Sequence, residues 1–323
     1  MPYTVAERAH KWALAVTPGA DYSSILEMIE YLTIKRYHEY LPTIGPHADF
    51  RTRLRDWLDN LSAEDDQKAL FRLVPEIFFI SSREFAALYR SALRGPITRW
   101  LVDVKKLDVS AVDLGSQIDT AISETWFCAV TDSMQISGFY HANNIGGVDL
   151  RPDWASLAKL GCKEKILAHM AKEGLQRIVL LEDFVGSGSQ MRDTVEYVAG
   201  LSNKIPVLVV PLLVCPDGVE TGKGLASQFA HVSFSPVLPL PANTFITSVA
   251  ITGESPLFQA IRALAIKTEA QVRGVSPQPF YGPFGYANTG AVIVTYSNCP
   301  DNSLPLIHFK SQWNPLFPRS SRI

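Results

Sequence analysis

The first part of the chain carries apolar residues at helical spacing. Ser24 and Glu27 form a capping-box pattern, and the apolar positions around them recur three and four residues apart: Ile25, Met28, Ile29 and Leu32. Ser62 and Ser81, each with an acidic residue three positions later, indicate two more helix starts. No strand pattern stands out in this part, so the sequence predicts an N-terminal helical region over residues 1–118.

The pattern changes after residue 118, where short apolar runs alternate with helical stretches. The predicted strands are Thr125–Val130, Ile178–Leu181, Val207–Val214, Val232–Leu238 and Ala291–Tyr296. The predicted helices between them are Trp154–Glu173, Gln190–Leu201, Gly222–Ala230 and Ser255–Val272. This alternation predicts an α/β domain with a parallel sheet over residues 119–323. Ligands of such sheets bind beyond the carboxyl ends of the strands, so the loops after the strands are the place to look for a site.

Composition excludes several classes of protein. The 323 residues are 47% hydrophobic and carry a net charge of −2, which argues against disorder and against a protein that coats nucleic acid. The most apolar run, Ile205–Cys215, is interrupted by Pro206 and Pro211 and is shorter than the ~20 residues of a membrane span. The four cysteines form no CxxC pair, and no signal pattern opens the sequence, so we expect reduced thiols and a cytoplasmic location.

One loop of the α/β region combines the features of a phosphate site. Residues 177–192 read RIVLLEDFVGSGSQMR, which is an apolar strand, two acids, a Gly-Ser run and the start of a helix. The glycines allow close backbone approach, and the serines supply hydroxyl groups. A helix that begins at this point directs its N–H groups and the positive end of its dipole at the loop. The pattern therefore predicts a phosphate cradle built without Lys or Arg.

The acids Glu182 and Asp183 precede this cradle and suit sugar hydroxyl groups or a Mg²⁺ ion. The alternative is an ordinary Gly/Ser turn between a strand and a helix, with solvated acids. A GxG turn alone favours that alternative, whereas the whole order of strand, acid pair, Gly-Ser run and helix favours a ligand site.

This order of residues resembles the PRPP-binding motif of the type I phosphoribosyltransferases. The resemblance implies that Glu182 and Asp183 hold the ribose hydroxyls of PRPP, that Mg²⁺ is the cofactor, and that the 5′-phosphate is wrapped by Val185, Gly186, Ser187, Gly188 and Ser189. Two positions depart from the family pattern, because Gly186 and Gln190 stand where Ser or Thr is usual. Hypoxanthine-type members carry an acid at the position of Gly186 that assists deprotonation of the base, so purine salvage is not favoured.

A second loop follows the preceding strand of the predicted sheet. It reads Thr131-Asp132-Ser133-Met134 and lies where type I phosphoribosyltransferases have their pyrophosphate loop. The resemblance implies that Thr131, Asp132 and Ser133 meet the pyrophosphate, and that Asp132 and Asp183 are the metal-binding and catalytic residues. A capped turn that leads into the next helix explains the same residues equally well.

The two ends of the chain narrow the resemblance. The segments Leu73–Arg90, Gly290–Leu306 and Trp313–Arg319 are similar to bacterial phosphoribosyltransferase-like proteins of conflict and anti-phage systems, including relatives that accompany the reverse transcriptases of retrons. This similarity implies a protein partner, namely a reverse transcriptase with its non-coding RNA. Trp313 and Phe317 are expected to anchor the tail to the domain.

The mobile loop and the acceptor site are less marked in the sequence. Asn143–Trp154, with Arg151, fits the flexible loop of the family, and the nearby Lys159, Lys163 and Lys165 fit a solvated helix face. The aromatic run Phe280–Tyr286 suits stacking on a planar base, although packing on the core is the favoured interpretation. Asn298 and His308 are further candidates for hydrogen bonds to a base, although a lone His is more often structural.

Three functions remain open at this point. The first is an enzyme that binds PRPP or a related nucleotide with Mg²⁺ and transfers or hydrolyses at ribose C1. The second is a non-catalytic sensor of PRPP or nucleotide. The third is a nucleic-acid module built on Arg51, Arg53 and Arg55, but the acids Asp49, Asp56 and Asp59 flank these arginines, so direct nucleic-acid binding is not expected.

Overall fold

The computed structural model describes residues 4–15, 21–42, 48–146, 162–274 and 281–320. They fall into two compact units. One comprises Met1–Ser82 with Asn243–Ile323, and the other comprises Arg83–Ala242. This division differs from the boundary expected at residues 118 and 119, because both ends of the chain belong to the same unit.

Strands and helices alternate through the second unit, whereas the first unit consists mostly of helices with a few short strands. In the described residues the strands are β1 (Phe78–Ile80), β2 (Thr125–Ala129), β3 (Arg177–Val185), β4 (Val207–Val214), β5 (Val232–Phe234), β6 (Leu238–Pro239), β7 (Tyr281–Gly282), β8 (Gly285–Tyr286) and β9 (Ile293–Thr295). The α-helices are α1 (Val5–Leu14), α2 (Tyr22–Lys35), α3 (Phe50–Leu58), α4 (Glu64–Leu73), α5 (Ser82–Ala92), α6 (Thr98–Lys105), α7 (Leu114–Ser123), α8 (Ile136–Asn143), α9 (Lys163–Lys172), α10 (Ser189–Ala199), α11 (Pro216–Gln228), α12 (Pro256–Arg273) and α13 (Pro305–His308).

The second unit is built on a five-stranded parallel sheet. Its order is β2-β3-β4-β5, and β6 pairs with the end of β4. Every residue of β2 and β4 is buried, as expected for apolar strands covered on both faces. The parallel α/β fold predicted from the alternating pattern is therefore confirmed.

Pro211 explains why the predicted strand Val232–Leu238 is two short strands instead. The carbonyl of Pro211 in β4 accepts from Val237 N at 2.9 Å, so the polar backbone atoms of this residue are on the side of β4 that pairs with β5 and β6. On that side Pro211 has no N–H to donate to the neighbouring strand. The ladder to β5 ends at Val209 and resumes to β6 at Leu213, on either side of this gap. The prediction of one continuous strand was wrong because a central proline removes a ladder bond.

Three other element boundaries moved. The strand predicted to end before the acid pair continues as β3 through Glu182 and Asp183 to Val185, because its pairing with β4 continues to Val214. The helix predicted from Gly222 begins at Pro216, a favoured residue for the first helical turn. Of the helix predicted over Trp154–Glu173, residues 154–161 lie outside the described residues, and α9 covers Lys163–Lys172.

The first unit contains a strand pair that the sequence did not place. The predicted strand Ala291–Tyr296 is β9, and it pairs in parallel with β1 instead of joining the large sheet. β1 was missed because three residues inside a helical region give too short a pattern. Similarly, α2 begins one turn before the predicted cap at Ser24, since the side chain of Asp21 accepts from the backbone N–H of Ser23 at 3.1 Å.

Aromatic side chains form much of the core of the first unit. Phe317 is fully buried, with Tyr40 5.1 Å and Tyr37 5.2 Å away between ring centroids. Trp313 is also buried, and its Nε1 donates to the carbonyl of Leu306 at 2.9 Å. The tail is thus anchored in the core of the first unit, which includes N-terminal residues, and not to residues 119–323 alone as expected. Among the described residues, no helix is both long enough and apolar enough to cross a membrane.

Candidate functional site

The sheet register brings two of the predicted loops together in the second unit. Ala129 of β2 pairs with Leu181 of β3, and Val130 N donates to the carbonyl of Leu181 at 2.8 Å. Thr131 therefore leaves β2 directly beside Glu182. The two loops meet at the carboxyl edge of the sheet, where parallel α/β proteins bind ligands.

Glu182 uses both carboxylate oxygens within the protein. Oε2 accepts from Thr131 N at 2.9 Å, and Oε1 lies 2.6 Å from Thr131 Oγ1. The residue is only 4% exposed. Sequence reasoning assigned Glu182 to the ribose hydroxyls, but the structure joins its side chain to the backbone and side chain of the neighbouring loop.

Asp183 and Ser133 form a second contact between the loops, and this one is open to solvent. Asp183 Oδ1 accepts from Ser133 Oγ at 3.0 Å and from Phe184 N at 2.8 Å. Asp183 is half-buried, whereas Asp132 and Ser133 are exposed. A ligand at this edge of the sheet therefore reaches Asp183, Asp132 and Ser133 more readily than it reaches Glu182.

The hydroxyls of Thr131 and Ser133 connect the two acids in a chain of oxygen contacts. The separations are 2.6 Å from Glu182 to Thr131, 2.8 Å from Thr131 to Ser133 and 3.0 Å from Ser133 to Asp183. Thr131 Oγ1 donates to Glu182 and Ser133 Oγ donates to Asp183, so each hydroxyl gives its proton to the acid beside it. Burial raises the pKa of Glu182 well above its usual value, the nearby charge of Asp183 raises that pKa further, and the bonds from Thr131 oppose the shift.

The predicted phosphate loop lies between β3 and α10. Gly188 has φ +84°, in the region that favours glycine, and α10 begins at the next residue. The hydroxyls of Ser187 and Ser189 lie 3.1 Å apart at the start of this helix. The first turn of a helix presents N–H groups that have no intrahelical partner, which makes this terminus suited to an anion. Val185 and Gly186, the remaining predicted residues, are buried beneath the loop.

Helix α11 supports the phosphate loop from below, and sequence reasoning missed its residues. Thr221 Oγ1 donates to the carbonyl of Ser187 at 3.1 Å. A Cβ on Gly218 would lie 2.8 Å from the carbonyl of Gly186, and one on Gly222 would overlap the ring of Phe234. Two helix-interior glycines four residues apart were the available signal, because glycine weakens a helix unless close packing requires it.

The oxygen ligands at this site fit Mg²⁺ shared with a substrate. Among the described residues no group of three or more His, Cys, Asp or Glu side chains is placed to hold a metal. Mg²⁺ commonly uses one or two carboxylates and completes its shell with phosphates and waters. Asp132 and Asp183, the predicted metal ligands, are the accessible carboxylates of the two loops.

The expected flexible loop falls largely outside the described residues. Asn143 ends α8, and its side chain donates to the carbonyls of Tyr89 at 3.0 Å and Phe139 at 2.9 Å. Arg151 and Lys159 lie outside the described residues. Lys163 and Lys165 are exposed on α9, in agreement with a solvated helix face.

The residues considered for an acceptor base belong to the first unit, where they make structural contacts. Phe284 is 3% exposed in the turn between β7 and β8, and Tyr281 Oη lies 3.2 Å from Nε2 of the buried His308. Asn298 donates to the carbonyl of Ser320 at 3.1 Å and accepts from its N–H at 3.0 Å. The preferred interpretation, packing on the core, agrees with these contacts.

The three arginines considered for nucleic acid also have partners inside the protein. Arg53 is buried and donates to the carbonyl of Leu316 at 2.8 Å. Arg51 pairs with Glu30, and Arg55 pairs with Asp56 at 2.8 Å. These contacts leave little of the cluster for a phosphate backbone.

Comparison with models of known protein families found a match. The model of the family described as PRTase-CE matches residues 54–319, which include the strands and loops of the site and begin within α3. No curated protein and no solved structure matches the chain.

Proposed function

Because the chain belongs to the PRTase-CE family, we propose that it binds PRPP or a related ribose 5-phosphate nucleotide with Mg²⁺ at the carboxyl edge of its parallel sheet. The reaction we propose is transfer or hydrolysis at ribose C1, with loss of pyrophosphate. The observation that carries the proposal is the convergence of the loops: Thr131–Ser133 meets the Glu182-Asp183 pair, and the Gly-Ser run continues from the same strand.

Each loop has a chemistry that suits one part of PRPP. The 5′-phosphate is assigned to residues 186–189 and to the first N–H groups of α10, which favour negative charge. The pyrophosphate is assigned to Thr131–Ser133, and the ribose hydroxyls to the accessible carboxylate of Asp183. Asp132 and Asp183 would hold Mg²⁺, which neutralises the charge that develops on the leaving pyrophosphate. Positioning and charge neutralisation then lower the barrier without covalent catalysis.

The proposed biological setting is a bacterial anti-phage system. It rests on the similarity of the terminal segments to conflict-associated proteins, and it includes a reverse transcriptase with its non-coding RNA as the partner. Co-purification of this chain with a reverse transcriptase encoded beside it would support the setting, and a chain that purifies free of such a partner would count against it.

Calorimetry with PRPP and Mg²⁺ tests the binding site. Wild-type protein should bind, and Asp183→Ala should weaken binding by at least tenfold, because a hydrogen bond to a charged group contributes about 1.5–3 kcal/mol. Glu164→Ala, which removes an exposed carboxylate on α9 of the same unit, is the matched control and should bind normally. Equal affinity of Asp183→Ala and wild type would refute the assignment of the site.

A second candidate function is a non-catalytic PRPP or nucleotide sensor. The buried Gly186, which replaces the acid used by hypoxanthine-type enzymes, favours this function, since no group at that position can assist deprotonation of a base. Pyrophosphate release, measured with and without free bases, separates the two. Release supports the enzyme, whereas clear PRPP binding without release supports the sensor.

A further inference from the structure

The two acids after β3 differ in what they contact and in how accessible they are. Glu182 is 4% exposed and binds Thr131 through both oxygens, whereas Asp183 is half-buried and contacts the exposed Ser133. The first contact joins two loops at a half-buried position. The second is at the surface, where a ligand can replace it.

A ribose hydroxyl that reached Glu182 would have to displace two donors of the protein. The N–H and the hydroxyl of the half-buried Thr131 would then lose the carboxylate of the buried Glu182, and a donor left unsatisfied at a buried site costs about 1–3 kcal/mol. One ligand hydroxyl cannot replace both bonds. An exchange at Asp183 costs less free energy, because the exposed Ser133 can form a hydrogen bond with water or with the ligand once it is released.

We propose that Glu182 is a positioning residue for the pyrophosphate loop, and that it acts through Thr131 and does not bind the ribose. This inference rests on the proposed function. Two bonds from one carboxyl group to the N–H and Oγ1 of Thr131 fix both the backbone and the side chain of the first residue of the loop. That residue follows β2 directly, so the orientation of Asp132 and Ser133 depends on it.

Three variants separate positioning from ribose binding. Glu182→Gln keeps the shape of the side chain but offers one acceptor oxygen to the two donors of Thr131. Thr131→Val removes one donor and touches neither ribose ligand, and Thr131→Ser restores the hydroxyl. If Glu182 binds the ribose itself, Glu182→Gln weakens ligand binding and Thr131→Val does not. If Glu182 acts through Thr131, both substitutions weaken binding, and the variant that carries both binds no more weakly than the poorer single variant.

The experiment measures the affinity of the full chain for inorganic pyrophosphate with Mg²⁺ and, separately, for ribose 5-phosphate. Glu182→Gln and Thr131→Val should each weaken pyrophosphate binding about tenfold, which is the loss of one hydrogen bond to a charged group. Both should bind ribose 5-phosphate within about twofold of wild type, and Thr131→Ser should bind both ligands like wild type. Thermal melting followed by circular dichroism identifies any variant that fails to fold. If Glu182→Gln fails to fold, the binding of pyrophosphate by Thr131→Val tests the positioning role instead.

The outcomes distinguish this inference from the proposed function. Loss of ribose 5-phosphate binding in Glu182→Gln, with Thr131→Val unaffected for both ligands, overturns the positioning role and leaves the PRPP site standing. Wild-type protein that binds ribose 5-phosphate but not pyrophosphate also overturns the positioning role. Wild-type protein that binds neither these ligands nor PRPP overturns the proposed function, and the positioning role with it.

Discussion

At the scale of single residues, the sequence predicted that two loops lie at one edge of the sheet but could not predict the contacts of each side chain. The spacing of Thr131, Glu182 and Asp183 predicted that all three lie at one edge of a parallel sheet, and the structure places them there. It could not predict that Glu182 faces inward to Thr131. That depends on the register of β2 against β3, and register is set by long-range packing that one sequence does not reveal.

Gly188 provides a test of the phosphate loop. Gly188→Ala should destabilise the protein by about 2–5 kcal/mol, because a left-handed conformation costs ~1–2 kcal/mol for a residue with a Cβ and overpacking adds ~1–3 kcal/mol. The new Cβ would lie 2.8 Å from Cβ of Thr221. Urea unfolding measures the free energy.

Gly174 is the matched control for this substitution. It has φ +69° and no atom within 4 Å of an added Cβ, so Gly174→Ala has the conformational cost alone. The difference between the two variants isolates the contact with Thr221. Equal losses in Gly174→Ala and Gly188→Ala would show that α11 does not press on the loop.

At the scale of elements, buried apolar strands were predictable and interruptions were not. The run Val207–Val214 forms β4 as expected, because a short, continuous, β-branched run is typical of a strand buried on both faces. The split of its neighbour into β5 and β6 depends on which side of β4 the missing N–H of Pro211 faces. Similarly, α11 begins at Pro216, before its predicted start at Gly222. Gly218 made this turn look unlike a helix in the sequence, but the glycine is needed there for close packing.

Two glycines of α11 test this packing. Gly218→Ala should destabilise the second unit by about 1–3 kcal/mol, because the new Cβ would overlap the carbonyl of Gly186 and the side chain of Val185. It should also weaken PRPP binding, since the displaced atoms belong to the phosphate loop. Denaturant unfolding and calorimetry measure the two effects.

Gly224→Ala on the same helix is the control. Gly224 is exposed and has no atom within 4 Å of an added Cβ, so this variant should gain up to about 1 kcal/mol of helix propensity and bind PRPP normally. A Gly218→Ala protein as stable as Gly224→Ala would contradict the close approach of α11 to the loop.

At the scale of the whole molecule, the order of elements along the chain gave the fold class but not the grouping of its ends. The N-terminal helices and the tail form one unit because β1 pairs with β9 and aromatic residues from both ends share a core. Contacts between residues so far apart in sequence leave no local pattern. The family match, which spans residues 54–319, includes residues of both units.

His308 makes the stability of the whole molecule depend on pH. Burial lowers the pKa of His308 to about 3 in the folded protein, and the charge of Arg319 acts in the same direction. The unfolded chain has the usual value near 6.5, so below that pH the unfolded state takes up a proton that the folded state does not. Stability is therefore full above pH 6.5 and falls as the pH decreases towards 3, by about 1.4 kcal/mol between pH 7.5 and 5.5.

Urea unfolding at these two pH values measures the loss. His308→Gln leaves no titrating group at position 308, so its loss over the same interval should be smaller by about 1.4 kcal/mol. The pair of pH values lies above the range in which most carboxylates titrate. An identical pH dependence in the variant and the wild type would show that His308 does not remain neutral in the folded protein.

The central claim, that the loops at the carboxyl edge of the sheet bind PRPP, is tested most directly by a crystal structure of the protein with PRPP and Mg²⁺. The account predicts the 5′-phosphate within residues 186–189 at the start of α10, the pyrophosphate against Thr131–Ser133, and Mg²⁺ beside Asp183 or Asp132. Electron density for PRPP elsewhere on the molecule, or empty loops at a saturating concentration of PRPP, would contradict it.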